Sequence, residues 1–299
     1  MSVSQPASAY PDAPAPWTLD GEGWTFPLYT AFSDTPIPVP EATYGPLEKG
    51  SEADQSARFY GGVGTVMLVR YASSPVGPYD ELLYVPGLFS RKDGKEDGYH
   101  MSVTRIYVSE DASTMNGRRN WGIPKHRAIF NWTPQPSGRL LVTVALPSSP
   151  SSPFFRALLV DSRTTPLALP VSTTWLDWRV SQRLMGGYGA ELFQPRLPGV
   201  DGKGVKEETV ERLKEMGQDP SALVGSETAI SLKLEAKGWV KVAKLEVAPS
   251  GEGEVDWSGF GDGVGFPRFT PAVEGPLKGR GVHFSSFRMV FPVGTPEDD

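Results

Sequence analysis

Glycine and proline punctuate this 299-residue chain from end to end, 33 of one and 29 of the other. Proline removes a backbone donor and glycine weakens the interior of any element, so the segments between them must be short. Those segments are apolar runs of strand character: Val63 to Tyr71, Glu81 to Val85, Tyr99 to Val108, Ala128 to Trp132, Arg139 to Leu146 and Val282 to Val293. The turn Ser73 to Pro78 joins the first two as a hairpin. The spacing predicts a mainly β fold with few helices rather than a helical bundle.

The remaining segments fill in this frame. Trp17 to Tyr29 reads as an edge strand, because Gly and Pro interrupt it. Residues 33–57 hold Pro36, Pro38, Pro40 and Pro46 and read as loop, as does the charged stretch Gly87 to Gly98. Ser109 to Arg118 predicts a short helix with a serine cap, closed near Gly117. Val205 to Met216 predicts a second helix, stopped by Gly217. Phe154 to Leu159 fits strand or helix, and Leu169 to Arg183 is mixed. Ala229 to Val247 reads as a hairpin turning at Lys237-Gly238, and residues 249–267 as a glycine-rich loop. Residues 1–16 are expected to form a loosely held arm, and 17–299 a single domain.

Several function classes drop out. The net charge is -6, and no basic block offers itself to nucleic acid or anionic membrane. There is no cysteine, which excludes disulfides and thiolate catalysis. No apolar stretch is long enough to span a bilayer and the N-terminus lacks a signal pattern, so a cytoplasmic protein is expected. The three histidines, His100, His126 and His283, have no metal-ligand spacing. No phosphate loop or nucleophile elbow occurs, and Gly259, Gly261, Gly263 and Gly265 do not match a dinucleotide fingerprint. Neither a metal nor an organic cofactor is expected.

Residues 117–130 carry the chemistry. They place Lys125 directly after Pro124 at the head of an apolar run. An ordinary lysine, with a pKa near ~10.4, has well under ~0.1% neutral amine at pH 7. Burial among apolar groups lowers that pKa, and so does a nearby cation. Trp121, Ile123, Ala128, Ile129 and Phe130 are candidates for the apolar setting, and Arg118, Arg119 and Arg127 for the charge. The same residues also suit a plain structural lysine, with Glu81 paired to Arg70 or Arg105 and Arg118 bridged to an acid.

Residues 63–130 resemble the acetoacetate decarboxylase-like family. The resemblance rests on Tyr79-Asp80-Glu81, the strand Tyr99 to Val108, the helix after it, Gly117-Arg118 and Pro124-Lys125. It implies curled antiparallel sheets forming a closed or partly closed barrel around an apolar pocket, and a homo-oligomer. It implies that Lys125 forms a Schiff base with a small carbonyl compound and that Glu81 is an active-site carboxylate, with Tyr79, Trp121 and Arg118 as substrate contacts. The implied activity is a lyase that decarboxylates a β-keto acid. The same imine supports aldol addition and dehydration, and the same barrel can be kept as a non-catalytic binding pocket. Two departures stand out. The family's second lysine is replaced by His126, expected to face away from the pocket. The family's N-terminal arginine falls near Gly21 or Glu22, and no arginine precedes Arg58.

Overall fold

The computed structural model describes residues 9–92, 94–162, 168–172, 191–202, 204–248, 260–269 and 280–297. The first half runs β1 (Trp17–Thr30), β2 (Phe59–Ser73), β3 (Tyr79–Val85), β4 (Leu88–Lys92), β5 (Gly94–Met101), β6 (Arg105–Val108), α1 (Asp111–Trp121), β7 (Lys125–Arg127) and β8 (Ile129–Gln135). The second runs β9 (Arg139–Ala145), β10 (Pro153–Asp161), β11 (Leu169–Ser172), β12 (Glu191–Gln194), α2 (Glu207–Glu215), β13 (Ala229–Lys233), β14 (Glu235–Glu246), β15 (Arg280–Phe291) and β16 (Thr295–Glu297). The fold is mainly β, as the glycine and proline spacing predicts.

Most strands lie on one path, β16-β13-β12-β5-β4-β2-β1-β15-β14-β10-β9-β8, and neighbours are mostly antiparallel. Among the described residues no ladder joins β16 to β8, so closure into a barrel is not seen. Both ends carry a proline, Pro296 and Pro134, which cannot donate to a further strand. Strand alternation sorts the side chains into two cores on opposite faces. Trp24, Phe26, Val66, Leu68, Leu82 and Tyr84 occupy one. Trp17, Leu19, Val69, Tyr71, Tyr79, Val85 and Trp121 occupy the other. Each such side chain contributes about 1.5–3 kcal/mol by leaving water.

Several local expectations change. The segment expected as an edge, β1, is central, paired to both β2 and β15. Its glycines mark a bulge at Gly21–Gly23 instead of an exposed border. The expected loop Gly87 to Gly98 is the β4–β5 hairpin, and Phe89 at its start is fully buried. The single strand expected over Tyr99 to Val108 is broken between Met101 and Arg105. The Lys237-Gly238 turn does not form. Gly238 sits inside β14 opposite Phe287, where a Cβ would come within 2.4 Å of the Ser286 carbonyl oxygen. Its glycine serves close backbone approach rather than chain reversal. Phe154 to Leu159 resolves as strand. Residues 173–183 and 249–259, read from sequence as mixed and as loop, lie outside the described residues, as do residues 1–8 of the expected arm.

The arm's remaining residues are tied to α1. Ala13 N donates to Asn116 Oδ1 at 2.9 Å, Asn120 Nδ2 donates to the Ala13 carbonyl at 2.8 Å, and Asp12 pairs with Arg119. No helix among the described residues is long and apolar enough to cross a membrane.

Candidate active site

Three consecutive elements build the site. Strands β6 and β7 are parallel, with Ile106 opposite Lys125, and α1 is the crossover between them. Strand β3 flanks β6 on its other side, with Glu81 opposite Val108. Lys125 and Glu81 therefore reach toward each other across β6, beneath α1. The helix runs past Gly117 and ends at Gly122, whose φ of 61° makes the left-handed cap. Gly117 instead lies against the lysine, where a Cβ would sit 2.5 Å from Lys125 Cδ. Glu110 rather than Ser109 occupies the cap position, and Ser109 Oγ accepts from Asp80 N at 2.8 Å.

Lys125 is 3% exposed and Glu81 2%. Lys125 Nζ donates to Glu81 Oε2 at 3.0 Å, to Ser113 Oγ at 3.1 Å and to Tyr79 OH at 3.4 Å. Three donors meet three acceptors, so the ammonium is satisfied. The amine also lies 5.0 Å from the Tyr79 ring centroid. Tyr71 OH donates to the other carboxylate oxygen, Glu81 Oε1, at 3.4 Å.

The burial expected for Lys125 is present, but its pKa moves the other way. Loss of water pulls it down, and the Glu81 carboxylate and Tyr79 outweigh that and hold it above the usual lysine value. The resting amine is therefore an ammonium. Burial pushes the Tyr79 hydroxyl up to about 12 and Tyr71 well above its usual value, so both stay protonated.

The expected cationic neighbours are engaged elsewhere. Arg118 is fully buried and donates to Glu48 Oε1 at 2.7 Å, to the carbonyls of Val224 and Pro198 at 2.8 Å, and to the Lys125 carbonyl at 3.3 Å. It braces the β7 backbone and makes no contact with the amine. Arg127 lies 3.6 Å from Asp111, and Arg119 pairs with Asp12. His126 points away from Lys125, as strand alternation requires, and its Nε2 lies 2.9 Å from Glu48 Oε2. Burial lowers the His126 pKa despite Glu48, which leaves the ring neutral. Trp121 packs edge-on to Trp17, with centroids 5.1 Å apart, and donates to the Pro292 carbonyl. It and Ile123 share the Tyr79 core, whereas Ala128 and Phe130 pack on the other face. Glu81 does not pair with Arg70 or Arg105: Arg70 lies 3.1 Å from Glu22 and Arg105 is held by the Gly265 carbonyl.

Sequence reasoning missed Tyr71, Ser113 and Glu48. The hairpin register sets Tyr71 opposite Tyr79, so Tyr71 was within reach of a register argument. Ser113 and Gly117 are four apart on one helix face. Glu48 comes from the proline-rich loop, and no local pattern marks it.

Gly117→Ala tests this close approach. Alanine gains about 1 kcal/mol of helix propensity over glycine, which offsets part of the clash, so stability should change little. On the expectation from sequence that Lys125 forms an imine, displacing the lysine stem should slow that reaction at least tenfold, read by mass spectrometry after borohydride reduction with a ketone. An unchanged rate would mean that Lys125 reacts from another position.

The mainly β fold that holds this buried lysine–glutamate pair is one that solved structures share. The chain is similar to an acetoacetate decarboxylase from Legionella pneumophila subsp. pneumophila str. Philadelphia 1, with 14% identity, a TM-score of 0.51, and coverage of 99% of this chain and 94% of that one. A second acetoacetate decarboxylase gives 13% identity, a TM-score of 0.50, and coverage of 100% and 96%. An acetoacetate decarboxylase-like enzyme from Sphingomonas wittichii RW1 gives 11%, 0.50, 96% and 95%. The chain thus has the acetoacetate decarboxylase-like fold over its whole length. No protein-family model matches the sequence. No curated protein matches it either.

Proposed function

We propose that this protein is a lysine-imine lyase acting on a small carbonyl compound, with decarboxylation of a β-keto acid as its reaction. The observation that carries the reading is the buried Lys125 amine, 3.0 Å from Glu81 and walled by tyrosines that also line a groove. Glu81 takes a proton from the ammonium, and the neutral amine attacks the keto carbon. The carbinolamine oxygen leaves as water, carrying the proton that Glu81 returns. The carbon–carboxylate bond then breaks, and its electron pair moves into the iminium to give an enamine and CO2. A carboxylate held close to Glu81 and away from water favours that loss, because the departing CO2 is neutral. The enamine carbon takes a proton, water adds to the new iminium, and the ketone leaves. The balance is one proton consumed per CO2 released.

The same imine would serve an aldolase or dehydratase. The well-satisfied ion pair supports a different second reading, a non-catalytic binding pocket in which the amine never sheds its proton. Borohydride added to protein and acetoacetate or acetylacetone separates the two. The imine reading expects a reduced adduct on the peptide carrying Lys125 and none elsewhere. The absence of an adduct with any small ketone favours the binding pocket.

A further inference from the structure

A groove of about 680 Å³ opens beside the β1 bulge. Its lining includes Tyr71 and Tyr79, which are only 3% and 4% exposed. Their ring centroids are 4.6 Å apart. The hydroxyls of the same two residues lie on Glu81 and Lys125. One aromatic pair therefore forms both the wall of the groove and the wall of the buried site. The volume is within the range of small-molecule sites, about 300–1,000 Å³.

We propose that this groove is the substrate site that feeds Lys125, with Tyr71 and Tyr79 as its inner door and Tyr71 as a positioning residue for Glu81. The proposal rests on the imine reading and adds the route and the substrate class. The carbonyl end passes between the two rings, which part by side-chain rotation, and the rest of the molecule stays in the groove. There the lining presents Asp20, Glu22 and Asp80, and the cations that face them are already paired: Arg288, from outside the lining, lies 2.8 Å from Asp20, and His283 lies 3.7 Å from Glu22. Arg70 is already 3.1 Å from Glu22 and 3.7 Å from Asp80. A tail bearing a carboxylate finds no unpaired cation there among the described residues to replace the water it gives up, so the substrate is a carbonyl compound whose only carboxylate, if it has one, is the reacting group beside the ketone.

The test reads the rate of adduct formation at Lys125 with borohydride and two ketones of equal chain length, 2-pentanone and levulinate. The neutral ketone should react at least tenfold faster, and Glu22→Gln should narrow the gap. Ala72 lines the groove and is exposed, so a bulky replacement there narrows the passage without entering the core. Ala72→Trp should slow trapping at least tenfold at unchanged melting temperature. Tyr71→Phe keeps the ring and removes a donor to Glu81, so the pH dependence of trapping should move to higher pH; a purely structural tyrosine would leave it in place.

If no ketone is trapped, the imine reading fails, and acetylation of Lys125 by acetic anhydride still reads the route. It should slow in Ala72→Trp and quicken in Tyr71→Ala. Equal trapping of the two ketones overturns the substrate class. Unchanged trapping and acetylation in Ala72→Trp overturn the groove as the route.

Discussion

Lys125→Met is expected to reduce turnover to the uncatalysed background and to destabilise the protein at the same time. Methionine matches the lysine stem in length and fills its space, so little cavity opens. What disappears is the amine and the only cation bonded to Glu81 among the described residues. Glu81 is 2% exposed and keeps just one further contact there, from the Tyr71 hydroxyl. Removing one partner of a buried ion pair typically costs about 3–5 kcal/mol, because the other charge is left in a medium that solvates it poorly. Urea denaturation at pH 7 measures this loss. The companion variant Lys125→Met/Glu81→Gln removes both charges and should recover most of the stability while staying inactive. That pattern separates the electrostatic cost from the packing cost. A single variant as stable as the parent would mean that the pair is not buried as a pair. A single variant that still turns over would end the case for imine catalysis.

This coupling also explains how much of the site is legible in the sequence. Lys125 and Glu81 stand out because a motif places them, and the structure brings them within 3.0 Å. The direction of the lysine pKa is not legible, since it depends on which charges face the amine. The arginines nearest in sequence, Arg118, Arg119 and Arg127, all turn to other acids or carbonyls. The fold follows the same division. Strands with clear alternation, such as β2 and β3, are read correctly. The β4–β5 hairpin is not, because its charged residues imitate a loop. The position of β1 in the sheet depends on partners some 30 to 270 residues away, which no local pattern encodes. Gly117 illustrates the limit at one residue: a helix stop and a close-approach glycine look identical until the partner is known.

The histidines allow a second large prediction, in stability rather than activity. His100 is buried beside Gln55, and burial together with Arg91 and Arg58 pushes its pKa down to about 3. His126 is lowered as well, by burial first. His283 moves up: burial lowers it, but Asp161 at 2.8 Å and Glu22 at 3.7 Å outweigh that. In the unfolded chain all three titrate near ~6.5. Below that pH the unfolded state binds protons at His100 and His126 that the folded state refuses, so stability falls as pH falls. Above it the folded state still holds a proton on His283 that the unfolded state has lost, so that contribution fades as pH rises through the folded value. From the histidines, the maximum therefore lies above pH ~6.5, because two lowered rings outweigh one raised ring at that pH. Between pH 7 and pH 5 each lowered histidine should remove up to about 2 kcal/mol. Glu48, whose burial is outweighed by the Arg118 guanidinium so that it is held below the usual carboxylate range, extends the loss below pH ~4.5. Urea denaturation at pH 5, 6, 7 and 8 measures the curve. His100→Gln should flatten its acid side, and His283→Gln should flatten its alkaline side alone. A stability independent of pH from 5 to 7 would mean that neither His100 nor His126 is held neutral by the fold.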